Sequence, residues 1–175
     1  QVQVGTAPEG IVVDPVTRVV AVATRDPFEL VLLNADTGDI TARTPLPGAV
    51  RHLQLAAPGG PVLVPVESAN ALVRVDLPGG QANPEIITGT VPHDASQAPD
   101  GTTFVANELG GTVSAVRGGD IVKVFTDSVQ DAAHRAGFVQ ARSHSLSLRT
   151  ALRGALGDAG FGQRTEGTRA LQVGT

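Results

Sequence analysis

Cysteine is absent from the 175 residues, which excludes disulfides, thiolate metal sites and cysteine nucleophiles. Trp and Tyr are also missing and Phe occurs 5 times, so aromatics make up only 3% of the chain and any core must be aliphatic. No apolar run reaches the roughly 18 residues that a membrane-crossing helix needs. A basic surplus is lacking too: 13 Lys and Arg stand against 17 Asp and Glu, a net charge of −4. Without a basic field to attract phosphate, general nucleic-acid binding is not expected. Methionine is absent, which is not expected of a complete primary translation product. The expectation is a fragment or a processed chain, whose longer parent has room for a signal peptide.

What is present is Val, Ala, Leu, 21 Gly and 12 Pro. Valine-rich runs broken by Gly, Pro and Asp predict many short strands rather than a few long helices. The breaks are periodic. Gly5–Pro15 (GTAPEGIVVDP), Gly48–Pro58 (GAVRHLQLAAP) and Gly89–Pro99 (GTVPHDASQAP) share one length and the same two ends, with their glycines 43 and 41 residues apart. A repeat of this period marks a solenoid, propeller or array.

Each unit holds four strand-like runs. The first has Ile11–Val13, Arg18–Thr24, Glu29–Leu33 and Asp39–Thr44, the last alternating apolar with polar residues as a half-exposed outer strand does. The second has His52–Ala56, Val62–Val66, Ala71–Leu77 and Glu85–Ile87, and its mid-run Pro65 predicts a bulge. The third has His93–Ala98, Thr102–Ala106, Thr112–Val116 and Ile121–Phe125, with a Pro99-Asp100-Gly101 turn after the first. Four short antiparallel strands per repeat are the plan of a β-propeller blade. The predicted fold is therefore all-β: a propeller fragment of about three four-stranded blades, at 5–47, 48–88 and 89–130, followed by an irregular or partly helical segment.

The segments APEGIVVDP, VVAVATR, LVLLNADTGDI and APDGTTFVANELGGTVSAV resemble the bacterial YVTN-type propeller repeat over residues 5–127. The second unit departs from it, with Arg51 in place of the opening proline and Pro-Gly-Gly in place of Pro-Asp-Gly. Three blades cannot close a ring, since propellers typically use 4–8, so the expectation is part of a larger propeller, six- or seven-bladed, whose missing blades are this chain's first partners. The resemblance implies an extracytoplasmic location (periplasmic, cell-surface or secreted). The family includes surface proteins, lactone-hydrolysing enzymes and propellers that carry redox cofactors, so it does not choose an activity.

Residues 131–175 break the pattern. They contain no proline and carry six Arg against three acids, yet the chain closes on Leu171-Gln172-Val173-Gly174-Thr175, close to its opening Val2-Gln3-Val4-Gly5-Thr6. A degenerate blade, an inserted helix (Leu148, Leu152, Ala155 and Leu156 share a face) and a compensated reading-frame error are the three readings. Arg, Ala and Gly enrichment without periodicity favours the third.

Aligning the units on their glycines places Glu9, His52 and His93 at one position, four residues after each glycine. In a propeller the first strand of each blade lines the central channel, so the three form part of a ring. One reading makes them ligands of a divalent metal, the only cofactor class suggested, or acid/base groups at the channel mouth. The other makes them polar groups that bond loop backbone and channel water. Asp94, Asn107 and Glu108 add carboxylate and amide groups near the same face. Two functions stay open. The first is a non-catalytic binding or scaffold propeller that presents loops and a channel to a small molecule or protein. The second is a metal-dependent lactone hydrolase or redox-associated propeller. No residue is assigned a catalytic role.

Overall fold

The computed structural model of the chain describes residues 1–126. Twelve strands form three antiparallel sheets of four, each sheet in simple sequential order. The first comprises β1 (Thr6–Asp14), β2 (Val19–Asp26), β3 (Phe28–Asn34) and β4 (Ile40–Pro45). The second comprises β5 (Gln54–Leu55), β6 (Val62–Val66), β7 (Ala71–Val75) and β8 (Ile86–Ile87). The third comprises β9 (Pro92–Gln97), β10 (Thr103–Asn107), β11 (Thr112–Arg117) and β12 (Asp120–Thr126). This is a β-propeller fragment of three blades. The readings of a degenerate blade, a helix or a frame error at 131–175 lie outside the described residues.

The valine runs are explained by burial on two sides. Successive strand residues point to opposite faces, and an inner strand of a blade has a neighbouring blade on each face. Val19, Ala21 and Ala23 of β2, with Leu30 and Leu32 of β3, pack on Val62, Val64 and Val66 of β6 and on Val73 and Val75 of β7. The alternate residues Leu63 and Leu72 turn the other way, onto Val105 and Val116 of the third blade. All three β6 valines are 0% exposed, and each such burial contributes about 1.5–3 kcal/mol. Outer strands face water on one side and lose the pattern, as the alternating exposure of β4 shows.

Backbone contacts and hydrogen bonds set the spacing between blades. A Cβ at Gly10 would meet the Arg51 carbonyl oxygen at 2.7 Å and Leu53 Cγ at 2.9 Å, so glycine is what lets β1 lie against the segment before β5. The buried Asp14 carboxylate accepts the Gly59 N–H across the same boundary at 2.8 Å. Thr44 Oγ1 donates to the Gly80 carbonyl at 2.6 Å, and Arg74 donates to Thr103 Oγ1 at 2.5 Å between the second and third blades. The Pro-Asp-Gly turn forms as expected, with Gly101 at φ +84° and the Thr102 N–H on Asp100 Oδ1.

One strand differs from expectation. The run 52–56 pairs only at Gln54↔Leu63 and Leu55↔Val62, plus a single bridge at Val50↔Val66. Pro65 brings no N–H to a ladder, and pairing lapses opposite it. β6 itself stays in regular register with β7 through Pro65↔Leu72, so the irregularity expected at Pro65 falls in the facing chain.

Candidate functional site

The same irregularity recurs in every blade. In the first, Pro8 pairs with Thr24 and Gly10 with Ala23, leaving Glu9 as the extra residue of a bulge. In the third, Asp94 pairs with Ala106 and Pro92 with Asn107, leaving His93 as the extra residue. In the second, one extra residue lies between Val50 and Gln54, the stretch that contains His52. A bulge bends its strand and re-aims a side chain. Glu9 and His93 are thus bulge residues, and His52 lies in the irregular stretch at the equivalent place in the second blade.

A second shared position faces the first. Thr24, Val66 and Asn107 are the partners at the bulge, and the residues that follow them are Arg25, Glu67 and Glu108. Glu67 opens a single 3-10 turn, Glu67–Ala69, between β6 and β7. The two positions mesh into one polar cluster. Arg25 Nε lies 2.7 Å from Glu9 Oε1, a close ion pair although the N–H is not aligned on the oxygen. The same guanidinium reaches the next blade, 3.7 Å from Glu67 Oε2. Arg51 approaches Glu67 Oε1 at 3.3 Å. His93 Nε2 lies between two carboxylates, 4.0 Å from Glu67 Oε1 and 3.9 Å from Glu108 Oε2. His52 stacks edge-on against the His93 ring, with centroids 4.5 Å apart and planes at 83°.

Glu67 is the centre, touched from the first blade by Arg25, from its own by Arg51 and from the third by His93. Its side chain is 13% exposed and that of His93 15%, whereas Arg51 is more than half exposed. Three carboxylates (Glu9, Glu67 and Glu108), two guanidiniums and two imidazoles meet in this cluster.

Of the residues singled out from the sequence, the structure brings Glu9, His52, His93 and Glu108 into this cluster. His93 Nε2 lies within 4.0 Å of carboxylate oxygens of Glu67 and Glu108, and Glu9 pairs with Arg25. Asp94 bonds its own strand, its Oδ1 accepting the Ala95 N–H at 2.9 Å. Asn107 is 2% exposed and its amide is spent on the blade. Its nitrogen donates to Thr112 Oγ1 and Ser114 Oγ, and its oxygen accepts the Gly89 N–H. These bonds hold the chain at the point where Glu108 leaves the strand.

Alignment of the repeats on their glycines does not bring out Arg25, Glu67 and Arg51. A signal exists for the first two, because Arg25, Glu67 and Glu108 recur at the repeat interval. Arg51 is the residue standing where the other units have proline, so the departure from the repeat is itself a member of the cluster.

No protein-family profile matches the chain, and no curated protein does. Solved structures do. The fold is similar to hydrazine synthase of Kuenenia stuttgartiensis (TM-score 0.64, 18% identity, 72% of this chain and 37% of that one). It is similar to virginiamycin B lyase from Staphylococcus aureus (TM-score 0.60, 21% identity, 70% of this chain and 42% of that one). A third is a dihydro-heme d1 dehydrogenase (TM-score 0.62, 16% identity, 73% and 29%). At these identities the likeness is one of fold, a β-propeller. The chain spans less than half the length of each of these neighbours.

Proposed function

We propose that the chain supplies three blades of a YVTN-type binding propeller, and that its ligand site is the Glu9–Arg25–Glu67–Arg51–His93–Glu108 cluster at one end of the blades. The observation that carries this reading is that all three blades contribute to one connected polar cluster through bulges at equivalent positions. Bulges are enriched beside functional sites because they re-aim side chains. An ordinary blade needs none of these charges for its core, which lies in the valine layers. Among the described members of the cluster carboxylates outnumber guanidiniums three to two, which favours a cationic ligand, a small molecule or a basic group of a protein.

The partners in this reading are further blades. Propellers typically close with 4–8, and Ile11 and Val13 of β1 are 66% and 51% exposed, apolar surface that a neighbouring blade would cover. A location outside the cytoplasm belongs to the same reading and rests on the repeat resemblance. The His93–carboxylate pairs also favour a second reading, hydrolysis of lactone-like substrates, which turnover of simple lactones by the whole chain would select.

Calorimetric titration with spermidine as a cationic probe and citrate as an anionic one tests the ligand class. Spermidine is expected to bind, with affinity reduced severalfold in Glu67→Gln and Glu108→Gln proteins. Preferential citrate binding, or spermidine binding indifferent to both substitutions, would contradict it.

A further inference from the structure

We infer that Asn70 is a positioning residue for the proposed ligand site. From the second blade it holds Val91 in a left-handed kink, and that kink sets where His93 and Glu108 of the third blade stand. The inference rests on the ligand-site reading above and adds to it a residue outside the cluster. Four non-glycine residues among the described ones have positive φ, and Val91, at φ +54°, is the β-branched one. A branched side chain crowds the backbone in that region, and Pro92 behind it favours extended backbone at the residue before it. Local preference therefore opposes the conformation of Val91, which persists only where its surroundings fix it.

Those surroundings come from both blades. Asn70 caps the 3-10 turn that Glu67 opens and is itself at φ +53°, a region that asparagine tolerates. Its side-chain Oδ1 accepts the Val91 N–H at 2.9 Å, and its carbonyl accepts the Thr88 N–H at 2.8 Å. One residue of the second blade thus grips both ends of the stretch 88–91 that leads into β9. From the third blade, Asn107 Oδ1 accepts the Gly89 N–H at 3.0 Å. The kink then places the site. The Val91 carbonyl accepts the Glu108 N–H at 2.8 Å, which fixes the backbone of Glu108. The register shift that leaves His93 as the extra residue starts at the next pair, Asn107↔Pro92. The first blade has the same sequence of events: Ala7, two residues after its glycine as Val91 is, has φ +50° and precedes Pro8, and Glu9 is the bulge residue. In the second blade Val50 takes that place without positive φ and Arg51 replaces the proline, and pairing lapses between Val50 and Gln54.

The test is NMR of the labelled whole chain. Asn70→Gly keeps the left-handed backbone at position 70 and deletes the clamping carbonyl group, whereas Asn70→Asp keeps an acceptor oxygen. In Asn70→Gly the His93 ring signals and the Glu108 amide are expected to move, and spermidine affinity to fall severalfold. The amides of the Asp14–Gly59 junction should stay in place, a check on folding. Asn70 is exposed, so the core is untouched. Asn70→Asp should leave the His93 and Glu108 signals close to wild type. In a Val91→Gly background the Asn70→Gly change should move them less, because glycine enters the left-handed region without side-chain cost. The inference is overturned if Asn70→Gly leaves His93 and Glu108 unmoved or spermidine affinity unchanged. It is equally overturned if Asn70→Asp moves the signals as far as Asn70→Gly, or if the shifts are equal in the wild-type and Val91→Gly backgrounds. The signals need no ligand, so the two readings fail separately. Unmoved signals with spermidine bound refute this inference alone, and a wild-type chain that ignores spermidine while the signals move refutes the ligand-site reading.

Discussion

At the scale of single residues, the chain separates polar groups that hold blades from polar groups gathered in the proposed ligand cluster. Asp14 belongs to the first kind. Burial, the largest single influence, raises its pKa, but the hydrogen bonds from the Thr17 side chain and from the Gly59, Thr17 and Val16 N–H groups outweigh it together and bring it down to about 2. A carboxylate with a depressed folded pKa stabilises the fold above its unfolded value, about 3.9, and loses that contribution as pH falls through its folded value. Chemical denaturation of the whole chain at pH 7, 4 and 2.5 should therefore show stability falling across the window from about pH 4 to about pH 2. The Asp14→Asn protein should start lower and change less there, and equal slopes for the two proteins would refute the assignment. Asn107 shows why residue type alone misleads. An amide beside a carboxylate invites a ligand role, but every hydrogen-bonding group on its side chain already serves the blade. Which way a polar side chain turns depends on neighbours that repeat spacing does not reveal.

At the scale of elements, the strands were legible because burial on two faces demands unbroken β-branched runs, and Val62–Val66 is such a run. The glycine and proline punctuation marked the blades for the same reason. The bulges were not legible. A bulge is a relation between two strands, visible only as a shift of register, such as the one between Pro8 and Gly10. Glu67 went unmarked because it lies on a turn that the hydrophobic pattern does not distinguish. Gly10 combines both lessons: it flanks Glu9 in sequence and abuts the Arg51 carbonyl in space. A methyl there would push the Arg51 backbone away from β1, and the expected cost is about 1–3 kcal/mol from overpacking. The Gly10→Ala protein should therefore melt lower and also bind spermidine differently, since Arg51 moves with its carbonyl. An unchanged melting temperature would show that the two blades can part without strain.

At the scale of the whole molecule, the three blades are alike as folds and unlike as chemistry. One bulge position carries Glu, His and His, and the facing position carries Arg, Glu and Glu, so a repeated scaffold presents a non-repeating site. That arrangement requires the blades to be docked, because Glu67 receives one partner from each. Among the described residues no helix is long and apolar enough to cross a membrane. The central claim is that one end of three blades forms a single site. Amide NMR of the labelled chain during a spermidine titration tests it most directly. The account predicts perturbations at residues 9–10, 25, 51–52, 67, 93 and 108, drawn from all three blades and saturating at one ligand concentration. Perturbations confined to one blade, or gathered at the opposite turns around Asp14, Gly59 and Asp100, would contradict it.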